Sequence, residues 1–276
     1  ILQINADAVE SLNKKSSLDK NLILLSLGRV TYQTGKLDKA ITYYDQVSKT
    51  SDFWAESQEE KAWAYTRMKN YDKALSTLRS LFTSVFVPQI GPETYVLAAF
   101  VDFKICDYKD AYQKILDFKK QMLPRVQSLE SITKNANNDL TSKWLSKMSE
   151  GIVSSIDLGQ DLPQMPRFFY RDLKIMSDAK NRNMIAARAR LQKLAKTDLA
   201  EISKNLTKMK IIEVEIIQRS YDYDTKLTQG ELDFDDTSSK QETLIFPEEK
   251  DSKEVWIDEL GKYQVKTKKC PTAGGR

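Results

Sequence analysis

Catalytic chemistry most often begins with histidine, and this chain of 276 residues has none. Its absence removes the commonest general base, the usual metal ligand and the ordinary nucleophilic triads. Acid pairs stand at Glu59-Glu60 and Asp235-Asp236, but adjacent acids on a helix or a linker are solvated charge, not a matched acid and base. The nine glycines are scattered and make no phosphate-cradling loop. Two cysteines, Cys106 and Cys270, are too few for a zinc site or a dense disulfide framework, and Cys106 reads as a packed side chain. No catalytic residue, metal ligand, cofactor or small-molecule substrate is assigned on these residues. The chemistry left is recognition by aromatic and cationic side chains.

Such side chains need elements to hold them, and a pattern that occurs three times between Asn21 and Arg125 supplies those elements. Its copies read Leu27-Gly28…Gly35-Lys36-Leu37-Asp38-Lys39-Ala40…Tyr44, Ala62…Tyr65…Asn70-Tyr71-Asp72-Lys73-Ala74…Leu78, and Ala98-Ala99…Asp107-Tyr108-Lys109-Asp110-Ala111…Ile115. Ala40 and Ala74 are 34 residues apart and Ala74 and Ala111 are 37 apart, with the extra residues falling between Pro88 and Pro92. Leu24, Leu27 and Gly28 share one helical face, as do Ala40, Tyr44 and Val47. Gly28, Ala62 and Ala99 are small where two helices must cross.

The spacing and vocabulary resemble the tetratricopeptide repeat (TPR), a helix-turn-helix unit of 34 residues. Asp52 stands where a closing proline is usual, and only the first copy keeps the Leu-Gly pair. The resemblance implies an all-α, right-handed array whose first helices line a concave groove that holds a partner protein or peptide. On this chain the groove would present Leu25, Arg29, Tyr32 and Gln33, then Glu59, Trp63, Thr66 and Arg67, then Val96, Phe100, Phe103 and Lys104. Arg29, Tyr32, Gln33, Trp63, Arg67, Phe100 and Lys104 are the candidate partner-binding residues, because aromatic and arginine side chains concentrate binding energy. Packing against the following long helix is the alternative role for Trp63. The lysine and asparagine set with which some members clamp a terminal carboxylate is missing.

Composition is globular, with 41% hydrophobic residues, and the net charge of +4 is too modest to point to nucleic acid. No stretch of about 18 apolar residues is present, so no transmembrane segment is expected. Ile1 in place of an initiator methionine implies a processed or cut chain.

Four regions follow. Residues 1–20, with a short helix from Ala6 to Leu12, read as a cap or partial repeat. Residues 21–125 hold the three units. Residues 126–228 read as a helical extension: Val126 to Ile156 continues as helix, with Leu140, Trp144, Met148, Ile152 and Ile156 in an apolar stripe, until Gly159 to Pro166 breaks it. A long helix is then expected between Arg167 and about Lys226, its stripe formed by Ala195, Leu199, Ile202, Leu206, Met209, Ile212 and Ile216. Residues 167–219 carry thirteen Lys or Arg against six acids. That is a solvated helical face or, alternatively, a regulatory or nucleic-acid-binding surface.

Residues 229–276 read as an acidic linker followed by a short β element. Eleven acids and three lysines lie between Glu231 and Glu259, and the opposed charges allow this segment to fold back on the basic helix or the cationic groove. Glu254 to Val265 alternates around a Gly261 turn, as a β-hairpin or strand pair does. A repeat array, a long basic helix and the stretch Trp256-Ile257-Asp258-Glu259-Leu260-Gly261-Lys262-Tyr263 together resemble bacterial cell-envelope repeat proteins, including those of gliding-motility machinery. That resemblance implies a place in the periplasm or cell envelope, with the cytoplasm as the alternative, for what the missing catalytic chemistry makes a non-enzymatic scaffold.

Overall fold

A computed structural model describes residues 19–228, 240–244, 260–267 and Cys270. These residues are mainly helical, so the chain is all-α with a small two-stranded sheet. The expected cap in residues 1–18 and the acidic stretches 229–239 and 245–259 lie outside the described residues. The chain divides into two compact units, one of Ile1–Phe86 with Gln241–Thr267, the other of Val87–Lys240 with Lys268–Arg276.

The first unit holds two helical hairpins, α1 (Lys20–Gln33) with α2 (Leu37–Asp45) and α3 (Trp54–Arg67) with α4 (Tyr71–Leu81). Asp19 caps α1 by accepting from the Asn21 N–H, and Asn70 caps α4 by accepting from the Lys73 N–H. Leu25, Ala40 and Tyr44 form one buried cluster, flanked by Tyr32 and Phe53. The strands β1 (Lys240–Leu244) and β2 (Tyr263–Thr267) pair with each other, and β2 packs on α4. The expected strand after the Gly261 turn is therefore present, but its partner comes from residues 240–244. Residues 254–259, the other expected arm, lie outside the described residues.

The second unit contains α5 (Pro92–Lys104), α6 (Tyr108–Lys134), α7 (Asp139–Glu150), the short α8 (Ser155–Leu158), α9 (Leu173–Lys180) and α10 (Met184–Thr228). Helix α6 runs through Pro124, past the expected unit boundary at Arg125, and stops at Lys134. There is no continuous helix from Val126 to Ile156. Asn135 takes an extended conformation and accepts from the Asn137 N–H, while Asn138 accepts from the Thr141 N–H and starts α7. Such local side-chain bonds compete with the helix. The stripe also ends early: Trp144 and Met148 are buried, but Ile152 and Ile156, beyond the end of α7 at Gly151, are 90% and 88% exposed.

Helix α10 packs against α6 and α5, as a narrow apolar stripe requires. It starts at Met184, not near Arg167, because residues 169–171 make a 3-10 turn and Asp172 caps the separate α9 through the N–H groups of Lys174 and Ile175. Its buried seam is Ala187, Leu191, Ala195, Asp198, Ile202, Asn205, Met209, Ile212 and Ile216, in three- and four-residue steps. Asp198 and Asn205 take the central places expected for Leu199 and Leu206, which are half-buried.

Four hairpins close with the same turn. Gly35, Lys69, Cys106 and Arg182 all have φ between 59° and 80°. Each donates its N–H three residues back, to Tyr32, Thr66, Phe103 and Ala179, and the next residue donates five back, to Thr31, Tyr65, Asp102 and Asp178. This double bond satisfies the last carbonyls of the first helix and reverses the chain. Five residues beyond each turn residue stands an alanine with no exposed surface: Ala40, Ala74, Ala111 and Ala187. The fourth hairpin, α9 with α10, thus repeats the turn and the alanine of the other three.

Candidate functional site

In the first unit, α1 and α3 bring five of the candidate residues to neighbouring helices. Arg67 lies over the Tyr32 ring at 5.5 Å and donates to the Tyr32 carbonyl at 3.4 Å. Gln33 and Arg67 are exposed and Trp63 is half-buried, one helical turn before Arg67 on α3. Leu25 and Thr66, also expected on this face, are buried, Leu25 in the cluster with Tyr44 and Thr66 through its hydroxyl bond to the Ala62 carbonyl.

Arg29 has a different setting. Its Nε donates to Glu60 at 2.7 Å and its Nη2 meets Glu56 at 2.5 Å, tying α1 to α3. Burial pushes the Glu60 carboxyl up from its usual value, with Arg29 pulling the other way. Burial also pushes the Tyr44 phenol well above its usual range, and the bond to Glu60 adds to it. For Arg29 burial works downward, yet the two glutamates outweigh it and its pKa rises. Charge that sequence reasoning offers to a partner is here matched inside the chain.

In the second unit, Lys104 is exposed and lies over the rings of Phe100 at 5.1 Å and Phe103 at 5.9 Å. Val96 is buried. The basic stretch 167–219 is partly neutralised within the unit. Arg167 meets Glu201 at 3.1 Å, Arg190 meets Asp178 at 2.9 Å, and Lys208 meets Glu93 at 3.8 Å. A small depression with little enclosed space is lined by Arg125, Arg167, Phe168 and Tyr170 among others. Arg125 pairs there with Asp198 at 3.0 Å and donates to the Met165 carbonyl at 2.9 Å, so both arginines already have carboxylate partners. Burial lowers the Arg125 pKa despite Asp198, and burial raises that of Glu201 despite Arg167.

Sequence reasoning missed two features. Cys106 is no packed thiol: it forms a disulfide with Cys270, 164 residues on. It sits at a left-handed turn position that the other hairpins fill with Gly35, Lys69 and Arg182. The second is a row of oxygen acceptors on α4. The Gly261 N–H donates to Ser80 Oγ at 2.8 Å, the Val265 N–H to Ser76 Oγ at 2.9 Å and the Thr267 N–H to Asp72 Oδ1 at 3.0 Å. Small polar residues at four-residue steps on a buried helix side were the available signal.

Among the described residues no helix is long and apolar enough to cross a membrane. No group of three or more metal-ligating side chains is gathered among them. Comparison of the chain with protein-family models, with curated proteins and with solved structures finds no match.

Proposed function

We propose that this chain is a non-enzymatic protein-protein interaction scaffold of the tetratricopeptide-repeat kind, holding a partner peptide or protein on the face formed by α1 and α3. The observation that carries this reading is the pairing of Arg67 with Tyr32 beside the half-buried Trp63. Side chains of these types bury much area at low entropic cost when a partner covers them. The repeat assignment draws support from the four equivalent turns and their four buried alanines. Phe100 with Lys104 offers a similar aromatic and cationic pair in the second unit.

The proposed location is an oxidising compartment, the bacterial periplasm or cell envelope, possessing the redox conditions in which a Cys106–Cys270 bond persists. A nucleic-acid role for residues 167–219 is not carried forward, since Arg167, Arg190 and Lys208 have acidic partners within the unit.

The test is cross-linking of the full-length protein in its native cells, comparing wild type with a folded Trp63→Ala, Arg67→Glu double variant. Loss of one specific cross-linked protein supports the face as the binding site. Capture that is unchanged overturns it.

A further inference from the structure

Along the side of α10 turned away from its buried seam, the character of the side chains changes once. Lys196, Ala200, Ser203, Lys204 and Thr207 are exposed there, as a solvated helix face should be. The next residues on that side are Ile211, Val214, Gln218 and Tyr221, in alternating steps of three and four. Ile211, Val214 and Tyr221 are 60%, 62% and 73% exposed, and Ile217 at the edge of the stripe is 62% exposed. A helix that turns large apolar side chains to water over three turns, while its other side is packed, presents a contact surface. Helix α6 widens it. The two helices run antiparallel, since Gln192 donates to the Thr133 carbonyl and Lys119 meets Glu213 at 3.0 Å. Leu116, one turn from Lys119, therefore comes alongside Ile217, one turn from Glu213, and is exposed as well.

Alternating steps of three and four form the seam between two paired helices, and the order of charges selects the helix that fits. Lys208 and Lys210 stand before the apolar stretch, and after it the sequence places Asp222 and Asp224 in the same helix. A parallel copy would set lysine beside lysine and aspartate beside aspartate. An antiparallel copy, related by a two-fold axis beside residue 216, sets Ile211 against Tyr221 and Val214 against Gln218 of the second copy, and brings Ile217 to its own equivalent. On the flanks the same register places Lys208 by position 222 and Lys210 by position 224, so cations meet acids. Lys208 also meets Glu93 within its own unit at 3.8 Å, which leaves Lys210 as the cation the pairing rests on. Among the flanking positions, Glu215 meets its like.

We infer that α10 pairs with α10 of a second copy of this chain, antiparallel about residue 216, through Ile211, Val214, Ile217 and Tyr221. The contact is self-complementary, so one patch supplies both sides and the assembly closes as a two-fold dimer. Such a dimer carries the face of Trp63 and Arg67 twice, which raises avidity for a partner that repeats its binding segment. The pairing itself does not rest on that face, so the Trp63→Ala, Arg67→Glu variant leaves every readout below unchanged.

Sedimentation velocity of the full-length protein over a hundredfold range of concentration reads the association. A monomer–dimer equilibrium is expected, weakened at least tenfold by Val214→Asp with Ile217→Asp. Both positions are exposed, so this variant keeps the circular dichroism spectrum of the wild type. Lys210→Glu is expected to weaken the dimer several-fold, Lys210→Glu with Asp224→Lys to restore it, and Glu215→Gln to tighten it. Orientation is read from spin labels on Lys196→Cys, the native cysteines being joined to each other. At about 1.5 Å per residue the two labels lie about 60 Å apart in the antiparallel pair, against roughly 10–20 Å in a parallel one. A monomer at every concentration, or a dimer indifferent to Val214 and Ile217, gives the surface to another occupant and overturns the inference. A short label distance, or a charge exchange that fails to restore the dimer, overturns the antiparallel register.

Discussion

Gly28 of α1 lies directly beneath the ring of Tyr44 of α2, so that a Cβ on Gly28 would overlap Cε1, Cδ1 and Cζ of the tyrosine. Glycine costs a helix interior about 1 kcal/mol relative to alanine, and the close approach of the two helices offsets it. Gly28→Ala is therefore expected to destabilise the protein by about 1–3 kcal/mol through overpacking, despite the better helix former. Urea denaturation checks it. In a Tyr44→Leu background the same substitution should cost less, because the ring it meets is gone.

The left-handed turn residues make opposite predictions at different hairpins. Lys69 at φ 59° and Arg182 at φ 60° hold a conformation that costs an L-residue about 1–2 kcal/mol. Replacing either with glycine should stabilise by about 0.5–1 kcal/mol, after the greater freedom of glycine in the unfolded chain is subtracted. Gly35→Ala, at φ 80°, should destabilise by about 1 kcal/mol. Midpoints of urea unfolding at equal m-values compare the three.

Arg125 and Asp198 form a buried ion pair that joins α6 to α10. Removing Arg125 leaves the Asp198 carboxylate buried with only the Arg167 N–H to answer it, at a cost of about 3–5 kcal/mol. Arg125→Met should lose that much stability, and Arg125→Met with Asp198→Asn should recover more than half of it. A double variant no more stable than the single one would show that Arg125 acts through its carbonyl bonds to Pro163 and Met165 instead.

Stability should also depend on pH in a way set by Glu60 and Glu201, whose pKa values burial raises in the folded state. A folded state that holds its proton more tightly than the unfolded chain gains stability at low pH. That contribution is complete below the ordinary value of 4.5 and is lost as pH rises through the raised folded values. Unfolding free energies measured from pH 4 upward should show the decline for wild type and a flatter profile for Glu60→Gln, Glu201→Gln. Asp161, held low by its bond to Lys143, acts in the opposite direction: its contribution is present above the ordinary value and fades as the medium becomes more acidic. The exposed Lys143 partner, screened by solvent, keeps that effect small.

Three of the four equivalent hairpins are legible in the sequence because small residue, turn and alanine fall within a dozen residues of one another. The fourth hides for a local reason. Ile175 stands where Gly28, Ala62 and Ala99 mark the first helix, and Ala187 follows Ala111 only after the inserted α7 and α8. Of the candidate face, the types and helical positions of Tyr32, Trp63 and Arg67 could be read directly. That Arg29 is held by Glu56 and Glu60 could not, because those bonds span 27 and 31 residues.

The sequence by itself determined what depends on near neighbours: helical periodicity, the small residues at helix crossings, the repeated turn pattern at Asn70 and Asp107, and the absence of histidine chemistry. Tertiary structure decided what depends on distant partners. Asp198 occupies a seam position because Arg125, 73 residues away, reaches it. Ile152 and Ile156 leave their stripe because α7 ends at Gly151, and among the described residues both stay exposed. Val265 is buried where β2 packs on α4, and Ser76, 189 residues earlier, accepts its N–H. Each outcome turns on satisfying a buried polar group or covering an apolar one, and the partner that does so is fixed only when the chain has folded.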